Sequence, residues 1–383
     1  MDKLRILHTA DLHLGSPFSG SGFDEGKIKE RKRDLFECFD SILISAQKKK
    51  VDLVIICGDL FEEDRVKRSD INSIMRSLSE IAPIRCVILP GNHDYFRAGG
   101  YYSWLHWPAN VYIFREREFS RFVFEDINLA VYGSAFTSPE DPERLIPKIR
   151  LEDKCKFRIL AFHGSLIAKP DATEPYRPFT EAELSALGAD YIALGHYHKP
   201  AVFKNEKGRI IASYPGSPEP LNFGEIFDHS FNIVAIDNKA VSIETLPSAQ
   251  RRYFKFEIEC GGMKTEKDVV AACRKTAAGA SEKDIIRFIL EGALEKDLQF
   301  DREVIAAELK KHFFWVKVVD ATYPDLDIES ISREETTRGL FARQMLEMME
   351  ESKKSSETEK TDRLNDALYY GLAALDGKRP EKR

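Results

Sequence analysis

The 383-residue sequence predicts an α/β fold over residues 1–248, a small α+β domain over 249–323 and a helical tail over 324–383. Three observations carry this reading. Apolar runs of strand length alternate with segments of helical period. Five of those runs end in a short polar motif. The pattern changes near residue 250, where a second, shorter set of strands and helices begins.

The five runs are Leu4–Leu7, Val51–Cys57, Ile84–Leu89, Ile159–Phe162 and Tyr191–Leu194. Their length and β-branched or aromatic bias suit buried strands. Between them, residues 27–50 place Ile28, Leu35, Phe39, Ile42 and Ala46 at helical spacing, and residues 71–81 form a second helix. Arg31, Lys32 and Arg33 are expected on a solvated face of the first. Asn205-Glu206-Lys207-Gly208 is a hairpin signal between Ala201–Lys204 and Arg209–Ser213. Residues 168–178 carry three prolines and no period, so they form a loop, which either shapes access to His163 or is plain surface. In the second domain, 253–259, 285–290 and 314–319 read as strands, and 266–278 and 302–312 as helices. In the tail, 336–351 is helical. Residues 353–362 are a polar break. Leu364, Leu368, Leu372 and Leu375 then fall on one helical stripe. These helices either fold back on the body or bind a partner.

The motifs that end the runs are Asp11-Leu12-His13, Gly58-Asp59, Gly91-Asn92-His93-Asp94, His163-Gly164 and Gly195-His196-Tyr197-His198. Alone, an Asp-x-His means little and a Gly-Asp is usually a turn. Together they hold five of the nine histidines in the chain. Strands lying side by side would gather these loops at one end of a sheet, where open α/β sheets place their sites. Carboxylates, one amide and imidazoles without a thiolate suit manganese, iron, zinc or magnesium. Cys57, two residues before Asp59, is read as buried packing.

This ordered set resembles the calcineurin-like metallophosphoesterase family over roughly the first 230 residues. Within it, the opening Ile6-Leu7-His8-Thr9-Ala10-Asp11-Leu12-His13, Gly58-Asp59-Leu60-Phe61, Tyr214-Pro215-Gly216-Ser217 and Phe223-Gly224-Glu225 are similar to the SbcD-type DNA repair nucleases. The protein Ser/Thr phosphatase signature G-D-x-x-D-R-G is broken here. The resemblance implies a two-sheet sandwich flanked by helices, with the second domain capping the catalytic face. It implies two divalent cations, read as Mn2+, with Mg2+, Fe2+ or Zn2+ as alternatives. Asp11, His13, Asp59 and His198 would hold one. Asp59, Asn92, His163 and His196 would hold the other. His93 would face the scissile phosphate, with Asp94 either orienting it or capping the following turn. Related nucleases often read G-D-L-F-H, whereas this chain has Glu62 at the last position. The departure leaves phosphodiester hydrolysis intact and favours endonuclease over exonuclease cutting.

The implied function is that of a DNA nuclease in an SbcCD-like repair complex. Its C-terminal helices, through Leu340, Met345, Leu364, Leu368 and Leu372, would bind an SbcC-type coiled-coil ATPase. A homodimer fits the same reading. The alternatives are a cyclic-nucleotide or other small-molecule phosphodiesterase with the same centre, and a scaffold that has lost its metals. A net charge of −6 argues mildly against a general basic DNA-binding surface. Scattered single cysteines and no C-x-x-C pair suggest a reducing, cytoplasmic setting. Residues 1–3 lead straight into the first strand, so no cleaved leader is expected, and no apolar run approaches the ~20 residues needed to span a bilayer.

Overall fold

The structure, a computed structural model, describes residues 3–377 apart from 171, 238–239, 296–297 and 355–357. It divides into two compact units, Met1–Arg252 and Tyr253–Arg383. In the first unit the elements run β1 (Lys3–Thr9), α1 (Glu25–Lys48), β2 (Leu53–Cys57), α2 (Arg68–Glu80), β3 (Arg85–Leu89), the single turn α3 (Tyr101–Trp104) and β4 (Val111–Ile113). They continue β5 (Ser120–Phe124), β6 (Leu129–Gly133), β7 (Phe157–His163), α4 (Glu181–Ala186), β8 (Tyr191–Gly195), β9 (Ala201–Lys204), β10 (Ile210–Tyr214), β11 (Ser230–Asp237) and β12 (Ala240–Pro247).

These strands make two six-stranded sheets, ordered β12-β11-β1-β2-β3-β4 and β5-β6-β7-β8-β10-β9. Each has a parallel centre, β1 to β4 in one and β6-β7-β8-β10 in the other. Alternate residues of the two centres share one core: Leu4, Ile6, Leu53, Ile55 and Val87 with Leu129, Val131, Ile159, Ala161 and Ala193. The intervening Leu7, Val54, Ile56 and Ile88 are also fully buried, as expected for parallel strands covered on both faces. All five anticipated runs are strands, so their ends gather as expected. The antiparallel edges β5, β9, β11 and β12 belong to hairpins and returns; of these, only β9 with its hairpin partner was foreseen. Helix α1 is capped by Asp24, whose side chain accepts from Lys27 N at 2.9 Å. Its basic cluster departs from expectation. Arg31 is fully buried, donating to Asp34 and Glu219 at 2.7 Å each and to the Pro220 carbonyl at 2.8 Å. A guanidinium's planar fork can serve several acceptors at once, which is what makes its burial tolerable.

A polar chain, buried from Asn232 inward, joins the two sheets. Thr245 Oγ1 donates to Asn232 Oδ1 (2.9 Å), and Asn232 Nδ2 donates to Ser213 Oγ (3.1 Å). Ser213 lies 2.6 Å from the Tyr191 hydroxyl, which lies 2.8 Å from His8 Nδ1. His8 Nε2 lies 3.1 Å from the Leu194 carbonyl. One tautomer satisfies every member: Nε2–H donates to Leu194, and Nδ1 accepts from Tyr191.

The second unit contains β13 (Tyr253–Glu259), α5 (Glu266–Thr276), β14 (Ile285–Glu291), β15 (Ala293–Leu294), α6 (Arg302–Leu309), β16 (Trp315–Asp320) and β17 (Tyr323–Pro324). Strands β13, β14 and β16 form a parallel sheet with α5 and α6 as crossovers. Then come α7 (Ile328–Ser332), α8 (Thr337–Lys354) and α9 (Thr358–Leu375). Much of the expected polar break is helical; residues 355–357 within it lie outside the described residues. Leu364, Leu368 and Leu372 of the leucine stripe turn inward, whereas Leu375 is 46% exposed. Leu368 and Leu372 are buried with Met345, Ala342 and Ile331, and Leu364 packs beside them. Leu340, assigned to the same partner face, is 50% exposed. Two amphipathic helices joined by a short connection cover each other's apolar stripes first. Among the described residues, no helix is long and apolar enough to cross a membrane.

The polar chain gives the fold a test. Burial lowers the His8 imidazole from 6.5 to about 3, with the Leu194 hydrogen bond opposing. The unfolded chain therefore binds this proton first, and the contribution is complete above pH 6.5 and lost as pH falls toward 3. His8→Leu should cost about 1–3 kcal/mol at pH 7 by leaving buried partners unpaired. It should also flatten the acid side of the stability curve. Urea unfolding between pH 4 and 7 measures both; an unchanged midpoint would remove the chain from the account of the sandwich.

Candidate metal centre

The loops after β1 and β2 continue as a short parallel ladder beyond the strands. Asp11 N donates to the Gly58 carbonyl (3.1 Å), His13 N to Asp59 (2.9 Å), Leu14 N to Leu60 (3.0 Å) and Glu62 N back to Leu14 (3.0 Å). The register sets Asp11 and His13 beside Asp59. Aiming these side chains inward requires unusual backbone. Asp11, His13, Asp59 and His196 have φ of 54°, 46°, 52° and 107°, in the left-handed region that non-glycine residues rarely adopt. Close approach also selects glycine in these motifs, as at Gly195, where a Cβ would overlap the Cys57 carbonyl. A Cβ on Gly58, itself at φ 87°, would strike the His163 ring, and one on Gly91 would strike the Asp59 carboxylate.

Donor atoms converge at the strand ends. His13 Nε2 and His198 Nε2 are 3.1 Å apart, and His163 Nε2 is 3.0 Å from Asn92 Oδ1. Asp59 Oδ2 lies between the two groups, 3.8 Å from His13 Nε2 and 3.4 Å from His163 Nε2. Three sets lie close enough for their atoms to share an ion: Asp11, His13 and His198; Asp11, Asp59 and His163; and His13, Glu62 and His93. The outer nitrogens are occupied. His13 Nδ1 meets Glu62 Oε1 at 2.8 Å, His198 Nδ1 meets Glu225 Oε1 at 3.0 Å, and His163 Nδ1 meets the Cys57 carbonyl at 2.8 Å. Each acceptor holds the proton on Nδ1 and leaves the inward Nε2 lone pair available, the arrangement metal-ligating histidines require. This donor set fits divalent cations. His196 stands beside it, its ring 5.2 Å from His163 and 4.8 Å from Tyr176, while its backbone N–H donates to Asp11. Tyr176 ties the 168–178 loop to this edge, and the neighbouring Arg177 is fully buried against Asp141 and the Ser134 and Ala135 carbonyls.

Imidazoles offset the charge of Asp59. Burial would raise the Asp59 carboxyl, but His163, with His13 and His93, holds it well below the usual range. Burial pushes the His163 imidazole down, yet the Asp59 charge beside it wins and raises it to about 9. Burial raises Asp11 and lowers His196 to about 3. His93, 45% exposed at its side chain, is raised to about 9, chiefly by its 3.0 Å hydrogen bond to Glu62 Oε2.

Asp94 does not orient His93. It is buried behind the ligands, accepting from Gly91 N (2.7 Å), Leu60 N (2.8 Å), Asp59 N (3.1 Å) and the Tyr102 hydroxyl (2.7 Å). Those backbone donors point away from solvent and need an acceptor, so the carboxylate braces the Asp59 turn. Glu62 takes the place beside His93. The roles of Glu62 and Glu225 were not anticipated. Both stood in quoted motifs, but a partner brought in by tertiary contact leaves no spacing signal.

A family model described as Calcineurin-like phosphoesterase matches residues 4–200, a span that contains every candidate ligand from Asp11 to His198. The metallophosphoesterase YhaO of Bacillus subtilis is 32% identical over 251 residues, covering 64% of this chain and 60% of that protein. The DNA double-strand break repair protein Mre11 of Methanopyrus kandleri is 27% identical over 375 residues, covering 88% of this chain and 78% of that protein. Among solved structures, the chain has a weak similarity to a dimetal phosphatase from Danio rerio, at 11% identity and a TM-score of 0.39 over 64% of this chain and 99% of that one. The chain thus spans less than two thirds of the length of YhaO.

An imidazole must lose its Nε2 proton before it can ligate. Because the metal-free His163 keeps that proton up to about pH 9, Mn2+ binding at pH 7 should release at least one proton. Affinity should accordingly climb with pH toward 9. Titration calorimetry in two buffers of different ionisation enthalpy counts the protons; identical heats and a flat affinity would remove His163 from the site.

Proposed function

We propose that this chain, which belongs to the calcineurin-like phosphoesterase family, directs its phosphoester hydrolysis at DNA. The family membership and the donor set make it a metal-dependent hydrolase of phosphoester bonds. The DNA reading is supported by one observation above others. The Mre11 relative covers 88% of this chain, whereas the first unit ends at Arg252. The likeness to a protein named for double-strand break repair therefore runs past the metal centre into the second unit. YhaO, covering 64% of the chain, does not require this.

In this reading Asp11, His13, Asp59 and His198 hold one cation. Asp59, Asn92, His163 and His196 hold the other. Asp59 would serve both, since an anion with two oxygens offsets two nearby dications. Hard oxygen and imidazole donors without a thiolate suit Mn2+, with Mg2+, Fe2+ or Zn2+ as alternatives; the Cys57 thiol is turned away, donating to the Ala193 carbonyl at 3.2 Å. Two bound dications would activate water near neutral pH and withdraw charge from the phosphate oxygens. The protein's own contribution is orientation and a proton. Asp94 fixes the Asp59 turn, and Asp59 Oδ1 accepts from His93 N at 2.9 Å. His93, its Nδ1 engaged by Glu62, offers Nε2–H to the leaving oxygen. An SbcC-type coiled-coil ATPase remains the proposed partner. Its docking face shifts from the inward leucines to Leu340 and Met348, 50% and 48% exposed and eight residues apart on α8.

With Mn2+ the chain should cleave both bis-nitrophenyl phosphate and linear duplex DNA, and chelator should stop both. Asp59→Ala should lose metal and all turnover. His93→Gln should keep both metals by elemental analysis and lose roughly 10²–10⁴-fold in rate, the usual worth of general acid–base catalysis. Turnover of a cyclic nucleotide with DNA left intact would favour a small-molecule phosphodiesterase instead. For the partner face, a Leu340→Asp, Met348→Asp double variant should retain hydrolysis and fail to co-purify with the ATPase. Co-purification at the wild-type level would discard that surface.

A further inference from the structure

We infer that Glu62 is a two-handed positioning residue, whose carboxylate orients a metal-side imidazole and a substrate-side imidazole at once. The inference rests on the metal-centre reading above and assigns a role to a residue outside its ligand set.

The geometry is direct. Glu62 Oε1 lies 2.8 Å from His13 Nδ1, and Oε2 lies 3.0 Å from His93 Nδ1. The two rings stand 4.7 Å apart at 87° to one another, so one carboxylate plane reaches both. Its backbone is anchored on both sides. Glu62 N donates to Leu14 at 3.0 Å, and its carbonyl accepts from Arg65 N and Val66 N at 2.9 and 2.8 Å. The next residue, Glu63, donates from its N to the His93 carbonyl at 3.2 Å. The side chain is 19% exposed, so little of it is left to water.

Donor and acceptor chemistry makes the residue type specific. Both histidines present Nδ1, and both serve best with the proton there: His13 so that Nε2 faces Asp59, His93 so that its ring is held with Nε2 outward. Two N–H donors need two acceptors. An ionised carboxylate supplies two, whereas an amide supplies one acceptor and one donor, and a neutral imidazole likewise. Histidine, the residue expected here by resemblance, would serve at most one of the two rings. Glutamine, nearly the same shape, would donate to one Nδ1 and force that ring's proton onto Nε2. Aspartate keeps both oxygens but shortens the reach.

The test compares E62Q, E62D and wild type, with melting temperature as a folding control. Mn2+ affinity is followed by electron paramagnetic resonance, and kcat and KM for bis-nitrophenyl phosphate are measured at saturating Mn2+. E62Q should bind Mn2+ roughly 10–100-fold more weakly, the usual consequence of removing a group that orients a ligand. Its kcat should fall by at least tenfold with KM little changed, and E62D should recover part of both. In an H93Q background, E62Q should lower kcat no further, because the hand that acts on rate works through His93. E62Q with either wild-type Mn2+ affinity or wild-type kcat would overturn the two-handed role, as would a full additional loss of kcat in the H93Q background. DNA is absent from the assay, so a chain that spares DNA leaves this test intact. A wild-type chain that binds no Mn2+ would instead sink the metal-centre reading itself.

Discussion

The site depends on keeping Asp59 ionised inside the protein. Three buried carboxylates, Asp11, Asp59 and Asp94, crowd the strand ends. Among the described residues, the ion pairs of Asp59 are with His13 and His163, and no lysine or arginine joins them. Burying an unpaired carboxylate is costly enough that it would ordinarily take up a proton. Here backbone amides and imidazoles keep the charge in place, and the excess of negative charge calls for cations. The ladder between the first two motifs, the bracing by Asp94 and the glycines at 58 and 91 all serve this one demand.

The centre is also where the two sheets meet. Asp11, His13, Asp59 and Asn92 follow strands of one sheet, while His163 ends a strand of the other and His196 and His198 follow its neighbour. The chain from Thr245 to His8 joins those sheets through groups that accept only one relative placement. Directional bonds set register where an apolar interface would tolerate sliding. The Tyr191–His8 link matters most, because these residues lie on the strands that lead to the Gly195–His198 and Asp11–His13 loops.

Much of this was legible in the sequence because it is local. Strand length and helical period marked the elements, and polar residues stacked after apolar runs marked every candidate ligand. What escaped was set by tertiary contact. Arg31 looked like a surface charge in a basic cluster, but Glu219 and Asp34 draw it inside. Asp94 looked equally suited to His93 or to a turn, and only the fold brings Leu60 N and Tyr102 to it. Glu62 looked like a missing histidine, and its value emerges only when His13 and His93 converge on it. The tail leucines were periodic, yet period alone does not say which surface they face. The edge strands β11 and β12 carried no motif to mark them.

The left-handed backbone at Asp11, His13, Asp59 and His196 has an evolutionary consequence. Each such conformation costs of order 1–3 kcal/mol in a non-glycine residue, and glycine would relieve it. Selection for stability alone would erase the site residue by residue, leaving a sturdier and inert sandwich. A lineage released from its chemistry would drift in that direction, since stabilising changes at strained functional positions are easy to find. Here all four positions carry polar side chains at that conformational cost, which only the chemistry of the site offsets.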